Sequence, residues 1–142
     1  MRLAFVRLGL IVLTALAGCG NPPPPMSTLE TGRKALEDGL AAWKDGKTAA
    51  SMGDAKPAVD FVDYQWRAGK KLSSYTIVSD AKGESNHTYT VDLTLANTDE
   101  AKQVEYMVFG SDPIHVFRDE DYARTLNMDN APTVPKSAKK RR

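Results

Sequence analysis

Cysteine and histidine are the residues that most often perform nucleophilic, acid–base or metal chemistry, and this chain has three of them: Cys19, His87 and His115. Two histidines 28 positions apart and one cysteine do not have the spacing of a zinc site. His87 follows a run of turn formers, which predicts a solvated loop position between two strands. His115 shares a predicted strand face with Phe117, where an edge or partly buried histidine and a pocket base are both open. The sequence predicts no metal site and no cofactor.

Tyrosines and one tryptophan extend the set of candidates. A pocket that contains His115, Tyr106 and Trp66 is the most specific hypothesis that these residue types allow. The alternation of apolar and polar residues instead favours a core position for three of the tyrosines, which are Tyr75, Tyr89 and Tyr106.

Carboxylates give no clearer catalytic pattern. Asp92 lies on the strand face opposite Tyr89 and Val91, which predicts exposure to solvent. The acidic run at 119–121 lacks the spacing of a calcium loop and is predicted to be a solvated turn. The chain contains no phosphate-binding loop, nucleophile elbow or dinucleotide fingerprint. The sequence therefore offers no catalytic constellation, and we expect no enzyme.

The lone cysteine lies at the end of an N-terminal segment with the features of an export signal. Residues 1–7 carry Arg2 and Arg7 without an acid, and residues 8–16 are apolar and uncharged. A membrane span needs roughly 20 residues, whereas a signal-peptide core needs roughly 7–15. A single thiol is unusual in an exported protein, because disulfides need pairs. We expect residues 1–18 to be a cleaved signal peptide.

The residues Leu16-Ala17-Gly18-Cys19 resemble the lipobox of bacterial lipoproteins. The resemblance implies a diacylglyceryl group on the Cys19 thiol, cleavage before Cys19 and acylation of the new amine, for example by palmitate. Two or more acyl chains anchor a protein durably where a single chain is marginal. Gly20 after the cysteine, rather than an aspartate, resembles outer-membrane sorting in Gram-negative bacteria. The alternative is an ordinary secretory signal beside an unmodified cysteine.

Two segments of biased composition flank the predicted domain. Residues 19–27 contain four consecutive prolines, which predict a polyproline II spacer of roughly 15 Å. Residues 123–142 lose periodicity and end in KSAKKRR, which predicts a disordered basic tail. The tail could contact an anionic surface or remain solvated. The segment between residues 18 and 136 has 12 basic and 18 acidic residues, which argues against nucleic-acid binding.

The predicted domain, residues 28–122, begins with a helix. A capping box is predicted at 27–30, and apolar residues recur at helical spacing from Leu29 to Trp43. Gly46 is a stop signal, so the helix is predicted over 28–45. The segment WKDGK at 43–47 recurs as WRAGK at 66–70. We interpret both as helix or turn exits in which a tryptophan packs on the core, rather than as a duplicated binding motif.

Strands follow the helix. Val59 and Phe61 predict a short strand, and turn formers at 81–86 predict a hairpin. Clearer alternation predicts strands at 72–80, 87–97, 102–110 and 114–118. The predicted fold class is α+β, with a long N-terminal helix packed on a curved antiparallel sheet of about four strands.

The order LAAWKDG, DYQWRAGKKLSSYTI, VDLTLAN and VEYMVF resembles small bacterial lipoproteins with the cystatin-like, nuclear-transport-factor-like cone fold. Some members of that group are enzymes that use a pocket aspartate with a tyrosine or acid as hydrogen-bond donor. We expect a membrane-anchored lipoprotein with a small non-enzymatic binding or scaffolding domain, whose partners are membrane lipid and an envelope protein. The alternative is a small-ligand carrier or enzyme with a pocket between helix and sheet.

Overall fold

The computed structural model describes Gly20 and residues 25–127. The predicted signal peptide, Cys19, residues 21–24 of the spacer and residues 128–142 of the basic tail lie outside the described residues. In chain order, the elements are α1 (Leu29–Lys44), a 3₁₀ helix (Ala49–Asp54), β1 (Val59–Val62), α2 (Tyr64–Arg67), β2 (Leu72–Lys82), β3 (His87–Leu95), β4 (Lys102–Phe109), β5 (Ile114–Arg118) and α3 (Asp119–Asn127). The α+β class is therefore confirmed.

The strands form one sheet in the order β1-β5-β4-β3-β2. Strand β1 runs parallel to β5, and the other three pairings are antiparallel. The predicted antiparallel sheet of about four strands is therefore wrong, because the sheet has five strands and is mixed. The β1 segment itself was predicted as a strand, but its parallel pairing with β5 was not predicted. Alternation within a segment identifies a strand but contains no information about a partner that lies about fifty residues away.

Helix α1 begins one residue later than the predicted capping box requires. Thr28 is the N-cap, and its hydroxyl accepts a hydrogen bond from the backbone N–H of Thr31. The capping box at Ser27 is therefore wrong. Ser27 is buried, and its backbone N–H donates to the carbonyl of Gly110 at 2.8 Å. This bond holds the start of α1 against the end of β4.

The core lies between α1 and one face of the sheet. The helix contributes Leu36, Leu40 and Trp43, as its spacing predicted. The facing strands contribute mainly alternate residues of β3, β4 and β5, which are Tyr89, Val91, Leu93, Val104, Tyr106, Val108, Ile114 and Val116. A Cβ added at Gly39 would overlap the ring of Phe61, so the helix approaches the β1 edge of the sheet as closely as glycine allows. This contact leaves no room for a ligand between Gly39 and Phe61.

Helix α3 continues the chain directly from β5. It runs to Asn127, so the predicted domain boundary at residue 122 falls inside this helix. None of the three described α-helices has both the length and the hydropathy that a membrane crossing requires.

Candidate ligand-binding cleft

A cleft of about 680 Å³ opens at the C-terminal end of α1. The end of α1, the 3₁₀ helix, β1 and the segment around α2 form its walls. Ligand pockets in proteins are commonly 300–1,000 Å³, so the cleft has the size of a small-molecule site. We call this space the tryptophan cleft, because both tryptophans of the chain, Trp43 and Trp66, line it.

The first of the two similar sequence segments ends helix α1. Gly46 has φ +79°, and its N–H donates to the carbonyl of Trp43 at 3.0 Å. The N–H of Lys47 donates to the carbonyl of Ala42 at 2.9 Å. These two bonds and the left-handed glycine make a Schellman motif, which terminates the helix and satisfies its last carbonyls.

The second segment ends helix α2 in the same way. Gly69 has φ +77°, and its N–H donates to the carbonyl of Trp66 at 2.9 Å. The N–H of Lys70 donates to the carbonyl of Gln65 at 3.0 Å. The interpretation of both segments as helix exits is therefore confirmed, and the two exits share one hydrogen-bond pattern.

The two exits also hold each other. The indole N–H of Trp43 donates to the carbonyl of Lys70 at 2.7 Å, and the indole N–H of Trp66 donates to the carbonyl of Lys47 at 2.8 Å. The two indole rings stack with centroids 5.7 Å apart and planes 12° apart. The rings of Phe61 and Trp66 pack edge to face, with centroids 5.2 Å apart. Each helix exit thus binds the backbone of the other through its tryptophan. The sequence did not predict that the two segments are in contact.

The rim of the tryptophan cleft is cationic. Lys47, Arg67, Lys70 and Lys71 line it, together with the single carboxylate of Asp60. Asp60 lies 3.9 Å from the Arg67 guanidinium, and both side chains are 48% exposed. Within residues 25–127, no ion pair involves the three lysine ammonium groups. Sequence reasoning did not identify these cations as a site, although the segments WKDGK and WRAGK contain three of them, which are Lys47, Arg67 and Lys70.

The three residues of the predicted pocket do not share one site. Trp66 lines the tryptophan cleft, whereas Tyr106 is fully buried in the core on the α1 side of the sheet. His115 lies on the opposite sheet face, where its ring stacks on Phe109 at 5.2 Å. Its Nδ1 lies 3.2 Å from a carboxylate oxygen of Asp60, with the ring one-third exposed. His115 is thus a partly buried residue of an interior strand, beside the Asp60 that lines the cleft, and Tyr106 is a core tyrosine.

The hydroxyl of Tyr106 belongs to a buried polar cluster. It donates to the Asp63 carboxylate at 2.6 Å, and the guanidinium of Arg118 lies 3.6 Å from the same oxygen. The other Asp63 oxygen caps α2 by accepting from the N–H groups of Gln65 and Trp66. Burial and the adjacent Asp63 carboxylate raise the pKa of Tyr106 well above its ordinary value. The phenol therefore stays protonated and joins β4 to the start of α2.

The acidic run at 119–121 is not the solvated turn that was predicted. It forms the first turn of α3, where carboxylates favour the helix N-terminus. Asp121 is 4% exposed and accepts from the backbone N–H of Tyr64 at 2.9 Å. Its side chain thus ties α3 to α2.

His87 is also not a loop residue. It is the first residue of β3 and is fully buried, and its Nε2 lies 2.8 Å from the carbonyl oxygen of Ser27. The turn formers end one residue before it, and β3 begins at once. His87 therefore holds the Ser27 backbone, just before α1, against the start of β3.

A second cavity of about 760 Å³ lies near the loop between β3 and β4. Two of its polar side chains are already paired, since Lys102 donates to Glu120 and Gln103 donates to Asp92. The hydrogen bond from Lys102 lowers the pKa of Glu120. In residues 25–127, no group of three or more His, Cys, Asp or Glu side chains is arranged to hold a metal. The tryptophan cleft is therefore the better candidate site.

Comparisons with protein families, with curated proteins and with solved structures give no match to this chain.

Proposed function

We propose that this protein is a membrane-anchored bacterial lipoprotein whose small domain binds a ligand non-enzymatically in the tryptophan cleft. The observation that carries the binding role is the reciprocal tryptophan pair, which fixes the Lys47 and Lys70 backbones beside a cleft that four cationic residues line. The lipobox Leu16–Cys19 supports the anchor and a location in the cell envelope, at the outer membrane in a Gram-negative cell. Membrane lipid is then the first partner, and an envelope protein the second.

The finer fold proposal is a cystatin-like, nuclear-transport-factor-like cone domain. A helix followed by strands that pack against it supports this proposal. The proposed ligand site differs from a pocket between helix and sheet. The facing side chains there are buried, and Leu36, Leu40 and Tyr89 have no exposed surface.

The anchor is tested by replacing Cys19 with serine in a bacterial host. The wild-type chain should incorporate an alkyne fatty acid and appear in the membrane fraction as a form cleaved before Cys19. Cys19→Ser should remain uncleaved and unlabelled, because the thiol is the acceptor of the first lipid group. Lipid labelling of the variant at the wild-type level would eliminate Cys19 as the anchor.

The binding role is tested by closing the cleft. A Cβ at Gly53 would meet open space, and Gly53 lines the cleft, so Gly53→Phe should place a ring in it. Native mass spectrometry of the protein extracted from membranes should show a bound compound that Gly53→Phe lacks. Ala81→Phe, which adds a ring at an exposed position of β2, is the matched control. Equal retention of the compound by both variants would contradict a binding role for the cleft.

A further inference from the structure

We infer that the tryptophan cleft binds a small amphiphile with an anionic head and an apolar body. The inference rests on the proposed binding function and adds the chemical class of the ligand. It follows from the charge of the rim, the character of the walls and the fixed position of the lysines.

The charge of the rim is opposite to that of the rest of the domain. The segment between residues 18 and 136 contains 12 basic and 18 acidic residues, yet four cations and one acid line the cleft. Asp60 is shared between Arg67 and His115 and does not neutralise the lysines. Clustered like charges cost free energy unless a counter-charge offsets them, and a bound anion supplies that charge. The cleft is thus selective for a carboxylate, sulfonate or phosphate head.

The walls below the rim are apolar. Ala49, Ala50 and Ala58 line the cleft together with Trp43 and Trp66. The tryptophans are only 2% and 5% exposed, so they contribute little of the surface that a ligand would contact. Such walls offer a bound molecule dispersion contacts and removal of apolar surface from water, but few hydrogen bonds. A ligand that is polar throughout would lose solvation there without replacement.

The lysine backbones at the rim are held in place before any ligand arrives. The carbonyls of Lys47 and Lys70 accept the indole N–H groups of the opposite tryptophans. Each lysine therefore projects from a Schellman turn that the other exit braces. Because the two backbones are fixed, only the lysine side chains remain to be ordered on binding, which favours a compact head that reaches both.

Intrinsic tryptophan fluorescence provides a direct measurement, because both tryptophans of the chain line the cleft. The lipidated full chain is reconstituted in phosphatidylcholine vesicles and titrated with ω-bromodecanoate, whose bromine quenches indole emission. ω-Bromodecyltrimethylammonium, with the same chain and the opposite charge, is the matched probe. We expect saturable quenching by the carboxylate and at least about tenfold weaker binding of the cation. Added salt should weaken carboxylate binding.

Charge reversal at the rim separates specific binding from partition into the vesicles. Lys70→Glu combined with Lys71→Glu should weaken bromodecanoate binding at least about tenfold. Lys82→Glu, at an exposed position on β2 outside the cleft, should leave it unchanged. Circular dichroism of each variant verifies that it is folded, and Gly53→Phe should abolish the saturable phase without a change of charge.

Three results would overturn the inference. These are equal affinity for the two probes, wild-type affinity in the Lys70/Lys71 double variant, and tighter binding of an oligoglutamate peptide than of bromodecanoate. Failure here is distinguishable from failure of the proposed binding function. A native compound that Gly53→Phe loses would sustain that function even if bromodecanoate does not bind.

Discussion

Replacing Asp63 with asparagine should lower the free energy of unfolding by about 3 kcal/mol. The side chain is fully buried and meets four partners. One oxygen accepts from the N–H groups of Gln65 and Trp66, and the other accepts from Tyr106 and lies 3.6 Å from the Arg118 guanidinium. Asparagine keeps the shape and one carbonyl oxygen, so the substitution removes charge rather than volume.

The magnitude follows from the partners that remain. The amide oxygen of asparagine can still cap α2, so the cost of a lost N-cap, about 1 kcal/mol, is largely avoided. The guanidinium of Arg118 loses its fully buried partner, and removal of one member of a buried ion pair costs about 3–5 kcal/mol. Glu120 stays 3.3 Å from Arg118, which places the loss at the lower end. A loss of 3 kcal/mol lowers Tm by roughly 12–24 °C in a domain of this size.

Urea denaturation followed by tryptophan fluorescence measures this effect, with thermal unfolding as a second assay. Asp60→Asn is the matched control, because Asp60 is half exposed and its ion pairs should contribute at most about 1 kcal/mol. Arg118→Met in the Asp63→Asn background should recover part of the loss, since it removes the unpaired buried charge. Equal destabilisation by Asp63→Asn and Asp60→Asn would refute the assignment of Asp63 as a buried ionic centre.

Three further predictions concern the close contacts of the fold. The free energy of unfolding should fall as pH rises from about 10 to 12. An unfolded tyrosine ionises near pH 10, whereas burial raises the pKa of Tyr89 to about 12. The folded state therefore binds more protons than the unfolded state in this range. Urea denaturation across this range should show a shallower fall for Tyr89→Phe. Gly39→Ala should destabilise by about 1–2 kcal/mol in thermal unfolding, because its Cβ would overlap the Phe61 ring, and Gly53→Ala should change stability by less than about 0.5 kcal/mol. Trp66→Phe should cost about 1 kcal/mol in urea denaturation followed by circular dichroism, since it removes one of the two indole hydrogen bonds.

The spacing of apolar residues was sufficient to predict the helices and strands that bury one face along their whole length. Spacing in α1 identified Leu36, Leu40 and Trp43 as buried, and alternation in β3 identified Tyr89 and Val91. These patterns are informative because each face meets the same core along its whole length. The sequence also showed the repeated W-x-x-G-K exits, since glycine after a helical run is a local signal.

Contacts between distant segments were not predictable in the same way. The parallel pairing of β1 with β5 joins residues about fifty positions apart, and no periodicity within either strand encodes it. Asp63, Arg118 and Asp121 are charged residues that a sequence pattern assigns to the surface. They are buried because β1 and β5 end where α2 and α3 begin, and each charged group has a hydrogen-bond or ionic partner there. The cationic rim was missed for the same reason, since Lys47 and Lys70 become neighbours only through the folded pair of exits.

The attachment of Ser27 has a mechanical consequence. A protein tethered through its N-terminal segment would carry any load at the point where the chain first bonds to the fold. Within residues 25–127 that point is the Ser27 backbone, whose N–H donates to the Gly110 carbonyl after β4 and whose carbonyl contacts His87 at the start of β3. Tension would therefore pass into the two strands that pair at the centre of the sheet, before it reaches the first turn of α1. Helix α1 would not unfold first from its N-terminal end, and the tryptophan cleft at its C-terminal end would keep its shape under force.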